Sequence, residues 1–275
     1  MNNSNNSDNL DNSPIILAIE TATEACSAAL VIGNPMSNPM SNPMGDTRSS
    51  AKIITRFAIA PREHTKLILT MMDEVLAEAE VKLAQIDAVA FSRGPGAFTG
   101  VRIATGVAHG VALALDKPLL PISTLAAIAQ QMYQQQGAKH CLAAIDARMQ
   151  EVYWGRYCVD NGIMTLQGEE AVNKPDHLRQ AARIAPISLA TEEAFEWVAA
   201  GSGWDAYATS LDLEAVTTLK TMVNILPSAE YIAILAVHDW FRGKAVDAEQ
   251  AQPLYLRDKV AQTIAERSAF KHKDL

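Results

Sequence analysis

The 275-residue sequence has few of the side chains that build disulfide frameworks or metal centres. Its three cysteines, Cys26, Cys141 and Cys158, are widely separated and form no CxxC pair. Because an odd number of isolated cysteines cannot complete a disulfide framework, we expect reduced thiols and a cytoplasmic protein. No two of the six histidines are three to five residues apart, and there is no HExxH motif. The sequence therefore gives a zinc peptidase no recognisable ligand set.

Basic residues are also scarce. Lys and Arg total 23 against 31 Asp and Glu, which gives a formal net charge of −8. Since phosphate binding needs clustered positive charge, we do not expect nucleic acid as the main partner, although a small basic patch is compatible with this balance. The longest strongly apolar stretch, residues 101–115, contains Arg102 and His109 and is shorter than the roughly 20 residues that span a bilayer. We therefore predict no membrane partner.

Two segments have the composition of disordered chain. Residues 1–13 are rich in Asn and Ser and are predicted to form a disordered tail. Residues 33–50 contain three tandem NPM(S) repeats, and the prolines exclude a helix or a central strand there. We predict a flexible insertion in a surface turn, with a methionine-rich contact to metal or peptide as the alternative.

The remaining sequence, which is largely apolar, alternates between strand and helix patterns. A strand, a polar turn and a second strand are predicted at residues 15–32, and the same pattern returns at residues 141–159. This repetition indicates an α/β fold with a duplicated unit. We place one subdomain at residues 14–118, a second at 119–258 and a tail at 259–275. Helices are predicted at 64–80, 101–116, 124–135 and 228–242, and further strands at 52–59, 87–92, 119–122 and 196–201.

The first two predicted helices carry more apolar surface than one sheet can cover. Their apolar arcs exceed the roughly 100° stripe of a helix that lies on a sheet. Residues 101–115 have only three polar side chains, and Gly106 and Gly110 follow at a spacing of four. Either the protein's own C-terminal helix covers this surface, or a second subunit does. The residues predicted to face a partner are His64, Leu67, Ile68, Met71, Met72, Val75, Arg102, Thr105, Gly106, His109, Gly110 and Leu113.

A glycine-rich motif, RGPGAFTGVR at residues 93–102, follows a predicted strand and opens a predicted helix. Its free amide groups could cradle a phosphate with help from Arg102. The alternative is a structural turn with Thr99 at or near the helix N-cap and glycines that permit tight packing. The motif matches neither Walker A nor the dinucleotide fingerprint.

Three further groups are weak candidates for chemistry. Glu20, Thr21 and Thr23 occupy the position of the phosphate-binding turn of actin-like folds, and Gly201 and Gly203 could belong to a loop that meets an adenosine. The third group follows the strand of the second repeat and is either a site or an ion-paired turn. It consists of Asp146, Arg148 and Glu151.

Several stretches together resemble the TsaB (YeaZ) family. They are ILAIETATEACSAALV, HTKLILTMMDEVL, FSRGPGAFTGVRIATGVAHGVALAL, ISTLAAIA, IDARMQEVYWG and PLYLR, and they span residues 15–257. The resemblance implies an actin-like ATPase (ASKHA) fold with two similar subdomains of mixed sheets flanked by helices. It also implies a role in making N6-threonylcarbamoyladenosine in tRNAs that read codons beginning with A.

The resemblance further implies that the chain is a non-catalytic scaffold for its catalytic paralogue TsaD, joined by the small ATPase TsaE. Thr124 and Ile128 stand where the paralogue has its metal-binding histidines, so we expect no metal and no cofactor required by this chain. ATP or ADP could bind at the interface of the complex, tRNA is reached only through the complex, and a homodimer is expected when the chain is alone. A metallopeptidase-like enzyme and an independent actin-fold ATPase are the alternatives.

Overall fold

The computed structural model describes residues 13–35, 51–184, 197–208 and 219–257. The strands are β1 (Ile15–Glu20), β2 (Ala25–Ile32), β3 (Lys52–Ile59), β4 (Ala88–Gly94), β5 (Leu119–Ser123), β6 (His140–Arg148), β7 (Glu151–Asp160), β8 (Ile163–Leu166), β9 (Ala171–Asn173), β10 (Trp197–Ala200) and β11 (Leu219–Met222). The helices are α1 (His64–Ala79), α2 (Phe98–Leu115), α3 (Thr124–Gln136), α4 (Pro175–Ile184), α5 (Ser202–Ala206) and α6 (Ala229–Phe241). The predicted C-terminal tail, most of the insertion and all but residue 13 of the N-terminal tail lie outside the described residues.

The two sheets repeat one topology, which confirms the predicted duplication. The first sheet has the order β3-β2-β1-β4-β5, and the second has the corresponding order β8-β7-β6-β10-β11. In each sheet three strands form an antiparallel meander, and the last two join in parallel. β9 is an additional strand that pairs with β7. The result is the actin-like ATPase fold that the resemblance implied.

The boundary between the halves differs from the predicted one. β5 completes the first sheet by pairing with β4, so the first half extends to Ser123 instead of ending at residue 118. α6 also returns to the first half, because its apolar residues pack on Ile16, Ala18 and their neighbours on one face of that sheet. Residues 119–258 therefore do not form one separate subdomain.

Both faces of the first sheet are covered. α1 and α2 pack on the face that carries Leu17 and Ile19 of β1, whereas α6 packs on the opposite face. The alternation along β1 sends successive side chains to opposite faces, and each face is apolar because each meets a helix layer. The C-terminal helix α6 thus lies on the side of the sheet opposite α2 and cannot cover it. This excludes the explanation that the protein's own C-terminal helix covers the apolar surface of α2.

α2 is seated by small residues. Ala104, Ala108 and Ala112 recur every four residues, and all three are buried against the sheet. The helix begins at Phe98 after an Ala97 N-cap that has no side-chain hydrogen bond, so Thr99 lies near the N-cap, as predicted, but does not cap the helix. With 18 residues and a mean hydropathy of 1.4, α2 is long and apolar enough to cross a membrane by length and composition alone. Core helices of soluble proteins pass the same test.

Candidate functional site

A cleft separates the two halves and encloses about 1050 Å³. Matching parts of the two repeats form its walls: the β1–β2 and β6–β7 turns, the β4–α2 loop and α5. The extended segment after α6 closes one side. The lining residues used below are Ala22, Glu24, Phe98, Arg102, Asp146, Arg148, Met149, Tyr153, Ser202, Tyr255 and Arg257.

Glu20, at the end of β1, is completely buried beside this cleft. One carboxylate oxygen accepts the Ala22 N–H at 2.5 Å, and the other has no hydrogen-bond partner among the described residues. Burial raises the pKa of Glu20 to about 7, and the Ala22 hydrogen bond opposes that rise. Near neutral pH a substantial fraction of Glu20 is therefore protonated, and its side chain caps the Ala22 amide within the same turn.

The hydroxyl groups of the first turn are engaged by the protein itself. Thr21 donates to the carbonyl oxygen of Gly100 at 2.7 Å, and Thr23 accepts from the N–H of Ala25 at 3.3 Å. The structure places Glu20, Thr21 and Thr23 in one turn, where each makes a hydrogen bond within the chain, while one oxygen of Glu20 has no partner among the described residues.

The glycine-rich motif seats α2 against the same turn. The Ala97 N–H donates to the Ala22 carbonyl oxygen at 2.7 Å. A Cβ added at Gly100 would lie 2.1 Å from the Thr21 carbonyl oxygen, so only glycine permits this approach. The glycines of the motif therefore permit tight packing between the start of α2 and the β1–β2 turn, which is the structural role considered beside a phosphate cradle. Arg102 stacks on the Phe98 ring at 3.7 Å and donates to the Tyr255 hydroxyl at 3.1 Å.

The corresponding loop of the second half is built in the same way. Gly201 has φ of 106°, and a Cβ there would lie 2.2 Å from the carbonyl oxygen of Ala144 in β6. A Cβ on Gly203 would lie 3.0 Å from the Cβ of Ala144. Both glycines hold α5 against the sheet, and of this loop Ser202 faces the cleft, where it accepts the Asp146 N–H at 3.2 Å.

The polar residues on either side of the β6–β7 turn form ion pairs. Arg148 contacts Asp146 at 3.2 Å and, across the cleft, Glu24 at 3.1 Å. Glu151 pairs with Arg257 at 2.6 Å. Because Arg148 is 75% exposed, its pairs contribute little to stability, but they join the equivalent turns of the two halves.

The closing segment crosses from one half to the other, a feature that the sequence did not reveal. The Leu254 N–H donates to the Arg93 carbonyl oxygen at 2.7 Å in the first half. Three residues later, Arg257 donates to Glu151 and to the Ala147 carbonyl oxygen in the second half, the latter at 3.1 Å. We call residues 254–257 the strap.

The predicted partner residues on α1 belong to the protein's own core. His64, Ile68, Met71, Met72 and Val75 are buried, and Leu67 is half-buried. Their side chains therefore pack largely within the chain, which accounts for much of the wide apolar arc of this helix. One apolar side chain that the prediction omitted, Leu69, is 55% exposed.

The predicted partner residues on α2 are different. Arg102, Gly106, Gly110 and Leu113 are exposed, and Leu113 is 71% exposed. A Cβ at either glycine would meet nothing within 4 Å. Together with Phe98, 58% exposed, these residues form one face of the helix, which we call the α2 stripe.

The other two predicted α2 residues are half-buried beside the stripe. Thr105 donates back to the Val101 carbonyl oxygen at 2.8 Å, as threonine often does inside a helix. His109 donates to the Ala251 carbonyl oxygen at 2.8 Å and so fastens the chain after α6 to the flank of α2.

The positions aligned with the paralogue's histidines are enclosed. Thr124 and Ile128 lie on α3 and are fully buried. Within the described ranges, no three His, Cys, Asp or Glu side chains come together as a metal-ligand cluster.

Comparison with known proteins gives a consistent set of relatives. A family model described as TsaD, tRNA N6-adenosine threonylcarbamoyltransferase, matches residues 53–265. The tRNA threonylcarbamoyladenosine biosynthesis protein TsaB of Escherichia coli K12 is 40% identical over 90% of this chain and 96% of its own length. The Haemophilus influenzae protein of the same name is 36% identical over 89% and 94%.

A solved structure has the same fold. YeaZ from Pseudomonas aeruginosa is 41% identical, with a TM-score of 0.71, and the match covers 88% of this chain and all of that one. The quoted motifs and these relatives agree: the chain belongs to the TsaB family, whose named members are tRNA threonylcarbamoyladenosine biosynthesis proteins.

Proposed function

We propose that this chain acts in the synthesis of N6-threonylcarbamoyladenosine in tRNA as a scaffold that binds the catalytic paralogue TsaD through the α2 stripe. Family membership supports the pathway. The observation that carries the mode of action is the exposed apolar face of α2. Monomeric proteins rarely leave such a surface uncovered, and it typically marks a protein contact.

The shape of the stripe supports a helix as the contacting element. Gly106 and Gly110 lie one turn apart and leave open space above the backbone. Small residues at this spacing allow a second helix to approach closely, so that backbone and side chains pack without cavities. Phe98 and Leu113 at the two ends provide larger apolar contacts. The duplicated architecture suggests that a paralogue with the same fold offers a matching helix.

A non-catalytic role is supported by the cleft. The Thr21 hydroxyl and one oxygen of Glu20 are bound by the chain's own backbone, and the two aligned histidine positions hold buried Thr124 and Ile128. We propose that the chemistry is performed by TsaD, that TsaE joins the pair, and that tRNA contacts this chain only through the complex. When TsaD is absent, the same stripe would form a homodimer. Cytoplasmic localisation follows from this role.

The proposal is tested by a substitution that disrupts the apolar surface of the α2 stripe without disturbing the fold. Gly110→Asp places a charge on the open surface and should weaken binding to co-expressed TsaD by at least about a hundredfold, because an unpaired carboxylate would be buried in the contact. Gly110→Ala should bind like the wild type or within a few fold. Binding is measured by co-purification and calorimetry, and modified nucleoside in tRNA by mass spectrometry after depletion of the host's own protein.

Gln134→Asp is the matched control, since Gln134 is exposed on α3, away from the stripe. It should leave both complex formation and the nucleoside level unchanged. Undiminished co-purification of Gly110→Asp with TsaD would show that the stripe is not the contact. Restored modification without any TsaD binding would instead refute the scaffold role.

A further inference from the structure

A second cavity of about 490 Å³ lies away from the cleft and plays no part in the proposed function. It is enclosed by the end of β4, β5, β8 and the C-terminal end of α6. Its walls combine apolar side chains with polar and charged ones, and the apolar lining residues are Leu120, Pro121, Ile122, Ala126, Ile163, Met164, Leu166 and Leu235. A cavity of this volume is within the range of small-molecule sites.

Arg93, the first residue of the glycine-rich motif, lines this cavity from the end of β4. Its side chain is half-buried, and its Nε is shielded from solvent without a hydrogen-bond partner in the described part of the chain. Arg93 also forms no salt bridge with any of the described residues. A guanidinium group that is partly desolvated and unpaired costs free energy, so an acceptor from outside the chain would stabilise it.

A second arginine lines the same cavity. Arg242 follows α6 and is exposed, and its side chain has no partner within the described ranges. The neighbouring Lys244 is neutralised by Asp239 at 2.8 Å. The uncompensated positive charge on this cavity therefore comes from two guanidinium groups, which suit carboxylate and phosphate oxygens better than an ammonium group does.

The single unpaired acid of the lining is fixed in place. Glu170 accepts hydrogen bonds from Ser123 and Tyr157, and Ser123 in turn accepts the Ala126 N–H at 3.2 Å. Burial and the Glu170 charge raise the pKa of Tyr157 well above its ordinary value, so Tyr157 remains a neutral donor. The other carboxylate oxygen of Glu170 has no hydrogen-bond partner among the described residues, and the Glu170 charge disfavours a second anionic group at its end of the cavity.

We infer that this cavity binds a small organic anion. Its carboxylate or phosphate contacts Arg93 and Arg242, and its apolar body lies along Ile122, Met164 and Leu235. A single charged end and an apolar remainder are what the charge distribution of the lining allows.

The purified full chain is tested by calorimetry with phenyl phosphate, benzoate and neutral benzamide. At least one of the anions should bind, and at least about tenfold more tightly than benzamide, because only an anion pairs with guanidinium. Arg93→Gln should weaken that anion about tenfold and Arg242→Gln about threefold, since the latter is more exposed. Comparing phenyl phosphate with benzoate identifies the preferred anionic group.

Arg102→Gln is the control, because Arg102 belongs to the same motif but lines the other cavity. It should leave the affinity for the anion unchanged. If Arg93→Gln does not fold, the affinity of Arg242→Gln alone tests the inference. The Arg242 side chain makes no hydrogen bond or ion pair among the described residues, so this substitution should not disturb the fold. The inference is overturned if neither anion binds up to about 10 mM. It is equally overturned if benzamide binds as well as the anions, or if affinity is lost in Arg102→Gln and kept in the other two.

Discussion

α1 and α2 lie side by side on the same face of the first sheet, and both are rich in apolar residues, yet they use them differently. α1 turns large side chains such as Ile68, Met72 and Val75 into the core. α2 turns a row of alanines inward and leaves Phe98 and Leu113 outside. Apolar content alone therefore does not tell whether a helix face is buried by its own chain.

The difference lies in the size of the inward residues. α2 turns Ala104, Ala108 and Ala112 into the core, whereas α1 contributes larger side chains there. Ile103, Val107 and Val111 of α2 pack against the same core but remain partly exposed. Most of the apolar surface of α1 is therefore buried within the chain, whereas α2 keeps Phe98 and Leu113 exposed.

The largest effect expected from this comparison is on folding stability. Val75→Asp buries an unpaired carboxylate at a fully enclosed position of α1 and should cost more than about 4 kcal/mol of unfolding free energy. Leu113→Asp, on the exposed stripe, should change it by less than about 0.5 kcal/mol. Urea denaturation at a concentration where the chain is monomeric measures both. Equal losses in the two variants would mean that α2 is buried as deeply as α1.

The next effect concerns the buried carboxyl beneath the N-terminus of α2. Because the pKa of Glu20 is about 7 in the folded chain and 4.5 ordinarily, folding favours its protonated form. Its contribution to stability is complete below pH 4.5 and is lost as the pH rises through about 7, a difference of about 3 kcal/mol. Glu20→Gln should remove this part of the pH dependence in denaturation series from pH 4.5 to 8. If the free energy of unfolding changed with pH in the same way in the wild type and in Glu20→Gln, the buried, protonated carboxyl would be contradicted.

The smallest effects compare two glycines of one helix. Gly100→Ala should destabilise the protein by about 2 kcal/mol or more, because the new Cβ would collide with the Thr21 carbonyl oxygen. Gly106→Ala should stabilise it by about 0.5–1 kcal/mol, since alanine favours a helix and space is open there. Thermal and urea unfolding give the sign of each change. The same sign for both would place the two glycines in similar surroundings.

The duplicated architecture was predictable because each repeat carries its own strand, polar turn and strand. The topology confirms that reading, and the helix predicted at residues 124–135 is α3, which Ser123 caps. β8 was missed, although Asn161 and Gly162 before it both have positive φ and form the two-residue turn between β7 and β8. Asn-Gly between apolar runs is a strong hairpin signal, and it was present in the sequence.

The candidate site was less predictable, since it depends on contacts between distant residues. Periodicity placed Ile68 and Val75 on an apolar arc, but it could not separate core from surface within that arc. The two arginines of the glycine-rich motif are nine positions apart and line different cavities, a separation that only the tertiary structure reveals. The strap depends on pairing between Arg257 and Glu151, which belong to opposite ends of the second half of the chain.

The strap links the two halves across the cleft through the Leu254 and Arg257 contacts, and the exposed Glu24–Arg148 pair adds little to that link. Links of this kind reduce the conformational entropy that a domain has left to lose. In the proposed scaffold role, more of the free energy of the contact would therefore remain as affinity.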